Sequence, residues 1–170
     1  MSASLLSSRA GGDSLELFCA RGEGQMASRE QPGLSIGVVY DQELVWAKGF
    51  GYANLERHEP ATPQTLYRIA SITKLFTSTA ILQLRDAGKL QLDDPLSNFL
   101  SWFAIKQRFP EAPPITLRHL LTHTSGLPRE SAFPYWVDNE FPSREQIQAR
   151  LPEQETALPS ETKWKYSNLG

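Results

Sequence analysis

A chain of 170 residues, 40% hydrophobic and 21% charged, carries enough apolar surface for one ordinary domain with its own core. Its 17 basic and 19 acidic side chains leave a net charge of -2, without the basic excess expected of a nucleic-acid-binding chain. No stretch approaches the roughly 20 consecutive apolar residues of a membrane-spanning helix.

Residues 1–30 read as an N-terminal segment, partly helical around Leu15, Leu17 and Phe18 and otherwise disordered. They lack the basic start and sustained apolar run of a secretory signal. Cys19 is the single cysteine, so no internal disulfide forms. Both features lean toward a cytoplasmic chain. Residues 31–170 read as the main domain. Pro32-Gly33 marks a turn, and Leu34–Tyr40 (LSIGVVY) is a short β-branched strand. A second strand, Glu43–Phe50, follows the polar pair Asp41-Gln42, which predicts a hairpin. Gly49 and Gly51 are expected to weaken its far end, and residues 60–65 to form a loop.

A helix is predicted from Ser71 to Gly88 (SITKLFTSTAILQLRDAG). Its apolar residues occupy nearly the whole circumference, which predicts a buried helix. Gly88 is the expected C-terminal cap, with Arg85 complementing the dipole in the last turn. Asp93-Asp94-Pro95 forms a turn leading into a short helix through Leu100, and the prolines in 104–114 mark a loop. Thr116 is the expected N-cap of a helix over Leu117–His123, ended by Gly126-Leu127-Pro128. A further helix is predicted near Ser143–Arg150.

The chemistry-bearing residues begin with Ser71 and Lys74. Three apart on a helix, they share a face. A serine hydroxyl needs a base within hydrogen-bond reach, and a lysine supplies one when desolvation removes its proton. The spacing alone is unspecific: Ser160-Glu161-Thr162-Lys163 repeats it in a polar segment and reads as a chance match. The plain alternative for Ser71 is a helix N-cap. Tyr166-Ser167-Asn168 is the second element. A tyrosine beside a lysine relays a proton, and an asparagine hydrogen-bonds a substrate amide or the lysine. Its plain alternative is a buried aromatic beside Trp164. Tyr52-Ala53-Asn54 shares the pattern and reads as the end of the hairpin.

Taken together, Tyr67–Lys74 (YRIASITK), Leu84–Pro95 (LRDAGKLQLDDP), Ile115–Leu127 (ITLRHLLTHTSGL) and Tyr166-Ser167-Asn168 resemble the serine β-lactamase family. The likeness is to the branch of class C β-lactamases, related carboxylesterases and D-amino-acid peptidases, and it runs from about Pro32 to Gly170. It implies an α+β fold, an antiparallel sheet flanked by helices plus a helical subdomain, incomplete in this chain. It implies an acyl-enzyme on Ser71, with Lys74 and Tyr166 moving the proton and Asn168 orienting a small ester, β-lactam or short peptide substrate. The Ser71 backbone N–H would be one oxyanion donor. No cofactor is implied. Tyr166-Ser167-Asn168 stands where class A enzymes carry Ser-Asp-Asn, which places the chain away from class A. The family's third motif, a Lys or His before a small residue and Gly, belongs downstream of Gly170. The expectation is therefore an N-terminal fragment that folds poorly and catalyses little alone.

His119 and His123 have the i, i+4 spacing of metal ligands, but no acidic residue completes a His-Glu-x-x-His and the resemblance accounts for both without a metal. His123–Gly126 are expected to shape the site wall. Tyr135 and Trp136 fall where the family varies its pocket and are candidates for substrate binding. A different class of function, a non-catalytic binding module on the same fold, would not need Ser71, Lys74, Tyr166 and Asn168 together.

Overall fold

The computed structural model describes residues 9–134, 137 and 140–170. Tyr135 and Trp136 lie outside the described residues. The chain divides into two compact units, one ending at Ile69 and the other beginning at Ala70.

The first unit opens with helix α1 (Arg9–Ser28), longer than the helical stretch expected around Leu15–Phe18. Strands β1 (Gly33–Tyr40) and β2 (Glu43–Asn54) then pair antiparallel, and β3 (Glu59–Pro60) adds to β2, giving the order β1-β2-β3. Tyr40 faces Glu43 across the turn. Asp41 and Gln42 carry φ of 48° and 66°, the two left-handed positions of a turn whose twist suits a hairpin. Strand β2 continues four residues past the predicted Phe50, so the glycines do not weaken its far end. They admit neighbouring backbone instead: a Cβ on Gly49 would lie 2.1 Å from the Ala61 carbonyl oxygen. The Ala61 N–H donates to the Gly51 carbonyl at 2.9 Å, and Tyr52 N–H donates to the Pro32 carbonyl at 2.8 Å. The glycine end is thus tied on both sides by flanking chain.

The second unit begins with a single 3-10 turn, Ala70–Ile72, leading into helix α2 (Thr73–Asp86). The predicted stop at Gly88 is present: Gly88 N–H donates to Arg85 O at 2.9 Å and Lys89 N–H to Leu84 O at 3.0 Å. These are the paired bonds of a Schellman end. The expected burial of this helix is not met. No residue of α2 is buried, and Leu75 and Phe76 are 68% and 67% exposed. Apolar residues around a whole helix show what it is able to bury; burial itself requires packing elements on every side, and among the described residues of this unit none covers Leu75 and Phe76.

The core lies in irregular chain. Leu96, Ile105, Ile115, Leu117, Leu127 and Leu151 cluster and are buried, with Trp102 and Phe103 packed against them. The predicted helix through Leu100 is one 3-10 turn, Leu96–Asn98. Thr116 caps α3 (Leu117–Leu121) as predicted, its hydroxyl accepting from the His119 N–H while the His119 ring accepts from the Thr116 N–H. The helix stops two residues before His123, because His123 sits in the left-handed region at φ 57°. Ser143 likewise caps α4 (Arg144–Arg150) through a reciprocal pair with Gln146.

Candidate active site

Ser71 sits in the 3-10 turn that opens α2, directly after Ala70, whose φ is 44°. A non-glycine residue in this region costs on the order of 1–2 kcal/mol, so surrounding structure holds the turn. The serine is not a cap: the N-cap residue is Ile72, and no side chain caps the helix. Its hydroxyl instead meets two functional groups. Tyr166 Oη donates to Ser71 Oγ at 2.6 Å, and Lys74 Nζ donates to the same oxygen at 3.4 Å. Lys74 also donates to Asn168 Oδ1 at 2.8 Å. Tertiary folding thus brings Ser71, Lys74, Tyr166 and Asn168 together across more than 90 positions of sequence.

Lys74 is only half-buried and Ser71 is exposed, so α2 does not provide the buried setting expected for this pair. The electrostatics favour another route. The Tyr166 hydroxyl is held below the usual tyrosine range, first by hydrogen bonding with Lys74, then by Ser71, with Arg129 adding positive potential. Lys74 Nζ lies 4.9 Å from the Tyr166 ring centroid and the Arg129 guanidinium 5.4 Å. Two cations therefore face one phenol, and favour its anion.

The Tyr166–Asn168 turn is locked by the loop after α3. Lys165 N–H donates to the His123 carbonyl at 2.7 Å, and Asn168 N–H to the Arg129 carbonyl at 2.7 Å. Ser167, 1% exposed, donates to the Pro128 carbonyl at 2.7 Å and accepts from Gly170 N–H at 3.0 Å. His123 Nδ1 accepts from Ser167 N–H at 3.3 Å, and its ring lies 4.6 Å from that of Tyr166. Burial, then the Lys74 charge, lowers the His123 pKa, which suits an imidazole acting as acceptor. The close backbone packing needs Gly126, at φ 71°, where a Cβ would lie 1.9 Å from the Leu158 carbonyl oxygen.

Ser71, Lys74, His123 and Asn168 line a cleft of about 750 Å³ whose remaining wall is largely aliphatic, including Ile81, Leu96 and Leu120. The second Ser-x-x-Lys is not assembled in this way. Ser160 is buried and donates to the Pro113 carbonyl at 2.6 Å, while Lys163 is exposed. The two histidines do not converge as ligands: His119 Nε2 faces Glu161 at 2.9 Å and its Nδ1 the Thr116 N–H, while His123 faces the Tyr166 turn. Among the described residues no cluster of His, Cys, Asp and Glu is arranged to hold a metal ion, and no helix is long and apolar enough to cross a membrane. Ser167, Arg129 and Glu130 also belong to the site's surroundings, without a sequence signal that marks them as such. Their proximity to Tyr166 and Asn168, and to Gly126-Leu127-Pro128, carries no periodic signal.

A serine hydroxyl that meets both a lysine and a tyrosine is an arrangement able to support nucleophilic chemistry. Residues 21–170 match the family model described as Beta-lactamase, and the chain belongs to that family. By lineage it is a β-lactamase-related serine hydrolase. It is similar to the mitochondrial serine β-lactamase-like protein LACTB of Bos taurus, at 43% identity over 96 residues, covering 56% of this chain and 17% of that protein. Among solved structures it is similar to the octameric penicillin-binding protein homologue of Pyrococcus abyssi, at 36% identity and a TM-score of 0.75, covering 95% of this chain and 36% of that one. It is also similar to a class C β-lactamase of Rhodobacter sphaeroides, at 28% identity and a TM-score of 0.66, over 89% and 40%. The chain thus spans well under half the length of these relatives.

Proposed function

We propose that the gene product carrying this chain hydrolyses an ester or amide through an acyl-enzyme on Ser71. The observation that carries the reading is the 2.6 Å contact of Tyr166 Oη with Ser71 Oγ, beside Lys74. Tyr166, its anion favoured by Lys74, takes the Ser71 proton as Oγ bonds to the substrate carbonyl carbon. The tetrahedral oxyanion collapses with cleavage of the C–O or C–N bond, the alcohol or amine takes the proton back from Tyr166 and departs (in a β-lactam the ring nitrogen takes it and stays tethered), and water later releases the acid by the same relay. The Ser71 N–H supplies one oxyanion donor, a contribution commonly worth about 3 kcal/mol. Asn168 holds Lys74 and orients the substrate, which is a small carboxylic ester, a β-lactam or a short D-amino-acid peptide.

The test is labelling by a fluorophosphonate probe, read by intact mass and peptide mapping. One adduct on Ser71 is expected. Ser71→Ala abolishes it, and Ser160→Ala leaves it intact. Equal labelling of the two variants would overturn the assignment. A wild-type protein that takes no adduct would shift the reading to a non-catalytic member of the family.

A further inference from the structure

Asn168 stands between two groups of opposite hydrogen-bonding character. Its Oδ1 accepts from Lys74 Nζ at 2.8 Å, and its Nδ2 donates to Glu130 Oε1 at 2.9 Å. An ammonium has hydrogens and no lone pair; an ionised carboxylate has lone pairs and no hydrogen. A side-chain amide bridging such a pair has one acceptable orientation. The flipped amide would set NH2 against the ammonium and a carbonyl oxygen against the carboxylate, so both contacts would become repulsive. The orientation is therefore dictated by chemistry, and without Glu130 only one of the two constraints remains.

Glu130 is itself held in place. Its side chain is 22% exposed, and Arg129 Nε lies 3.3 Å from Oε1, the same oxygen that accepts from Asn168. Arg129 stacks over Tyr166. The Asn168 N–H donates to the Arg129 carbonyl, so the backbone bearing Arg129 and Glu130 is pinned to the backbone bearing Asn168. Arg129 and Glu130 thereby act on both halves of the Tyr166-Ser167-Asn168 turn, the first on the phenol and the second on the amide.

We infer that Glu130 is a positioning residue: it fixes the Asn168 amide with oxygen toward Lys74, and so holds the lysine between Asn168, Ser71 and the Tyr166 ring. The Asn168 nitrogen carries two hydrogens and Glu130 takes one, leaving the other for a substrate carbonyl. This role rests on the acyl-enzyme reading for its effect on rate, but not for its effect on the amide.

The test uses the full gene product that carries this sequence and two readouts. The first is kcat/KM for an activated ester. Glu130→Leu is expected to lower it about 10- to 100-fold, the range for a lost hydrogen bond to a charged group. Glu130→Gln, which keeps an acceptor oxygen, is expected to lose less than about threefold. Asn168→Asp sets carboxylate against carboxylate and is expected to be severe; adding Glu130→Gln to it should recover at least about fivefold, a coupling that independent structural damage does not produce. The second readout is the pair of Asn168 side-chain amide protons in 15N-edited NMR, well separated in the wild type and collapsing together in Glu130→Leu. Equal kcat/KM for Asn168→Asp and the double variant, or an amide pair unchanged in Glu130→Leu, overturns the inference. Failure of the wild type to take a fluorophosphonate overturns the acyl-enzyme reading instead, and the NMR result then decides the positioning role separately.

Discussion

Helix α2 and the Tyr166–Gly170 turn each carry half of the candidate site, and they are built in opposite ways. Helix α2 is regular, well stopped at Gly88, and has no buried residue. The turn has no regular secondary structure, yet Ser167 within it is 1% exposed and is hydrogen-bonded on both sides. Regularity and rigidity are therefore separate properties here. Lys74 rides on an element defined by local hydrogen bonds, with Ser71 in the turn that opens it, while Tyr166 and Asn168 ride on a segment defined by long-range ones.

The sharpest way to break this contrast is to remove apolar side chains from each region. Leu127, 2% exposed at the base of the loop that holds the turn, is expected to cost about 2–5 kcal/mol when changed to Ala. Leu75→Ala on the open side of α2 is expected to change stability by about 0.5 kcal/mol or less. Urea unfolding of both variants checks this, and similar losses at the two positions would contradict it. Next in size is Ser167→Ala, which leaves the Leu169 and Gly170 N–H groups and the Pro128 carbonyl without their partner. A loss of about 1–3 kcal/mol is expected, with slower Ser71 labelling as the Tyr166 and Asn168 positions loosen. Calorimetry and probe kinetics on the same samples would show whether the two effects travel together.

Smaller effects should appear in the pH dependence. The pKa of His123 is lowered from 6.5 in the fold, so below that value the unfolded chain takes the proton first. Stability contributed by neutral His123 is present above pH 6.5 and is lost as pH falls through the lower folded value. The Ser167 N–H bond to Nδ1 goes with it. His123→Asn tolerates the left-handed backbone and should flatten this acid-side loss in a series of thermal melts. On the alkaline side, Tyr166 is lowered from 10.0, so labelling should rise with pH below the usual tyrosine range. Tyr166→Phe should remove that limb and slow acylation about 10²- to 10⁴-fold.

Much of the fold was legible locally. The hairpin followed from two β-branched runs around Asp41-Gln42, and the helix boundaries from Gly88, Thr116 and Ser143, because turns and caps are settled by residues a few positions apart. Ser71, Lys74, Tyr166 and Asn168 were legible as candidates because their residue types carry chemistry, and the sequence around them is that of a known family.

Other features were decided only by tertiary structure. The apolar circumference of α2 did not determine what covers it, since a helix's composition is silent about its neighbours. The contact between Glu130 and Asn168 spans 38 positions, and a glutamate in a loop has no pattern that distinguishes it from a solvated charge. The preference for Ser71 over Ser160 came from sequence, on the polar surroundings of Ser160, but the contacts of the two hydroxyls did not. Their spacing to lysine is identical, and the difference is that one hydroxyl meets Tyr166 while the other is spent on the Pro113 carbonyl. Sequence by itself determined which groups were available for chemistry and where local structure starts and stops. Which groups meet was decided by the packing of irregular chain around Leu96, Leu127 and Leu151, because such contacts depend on loop closure over long separations rather than on any residue's neighbours.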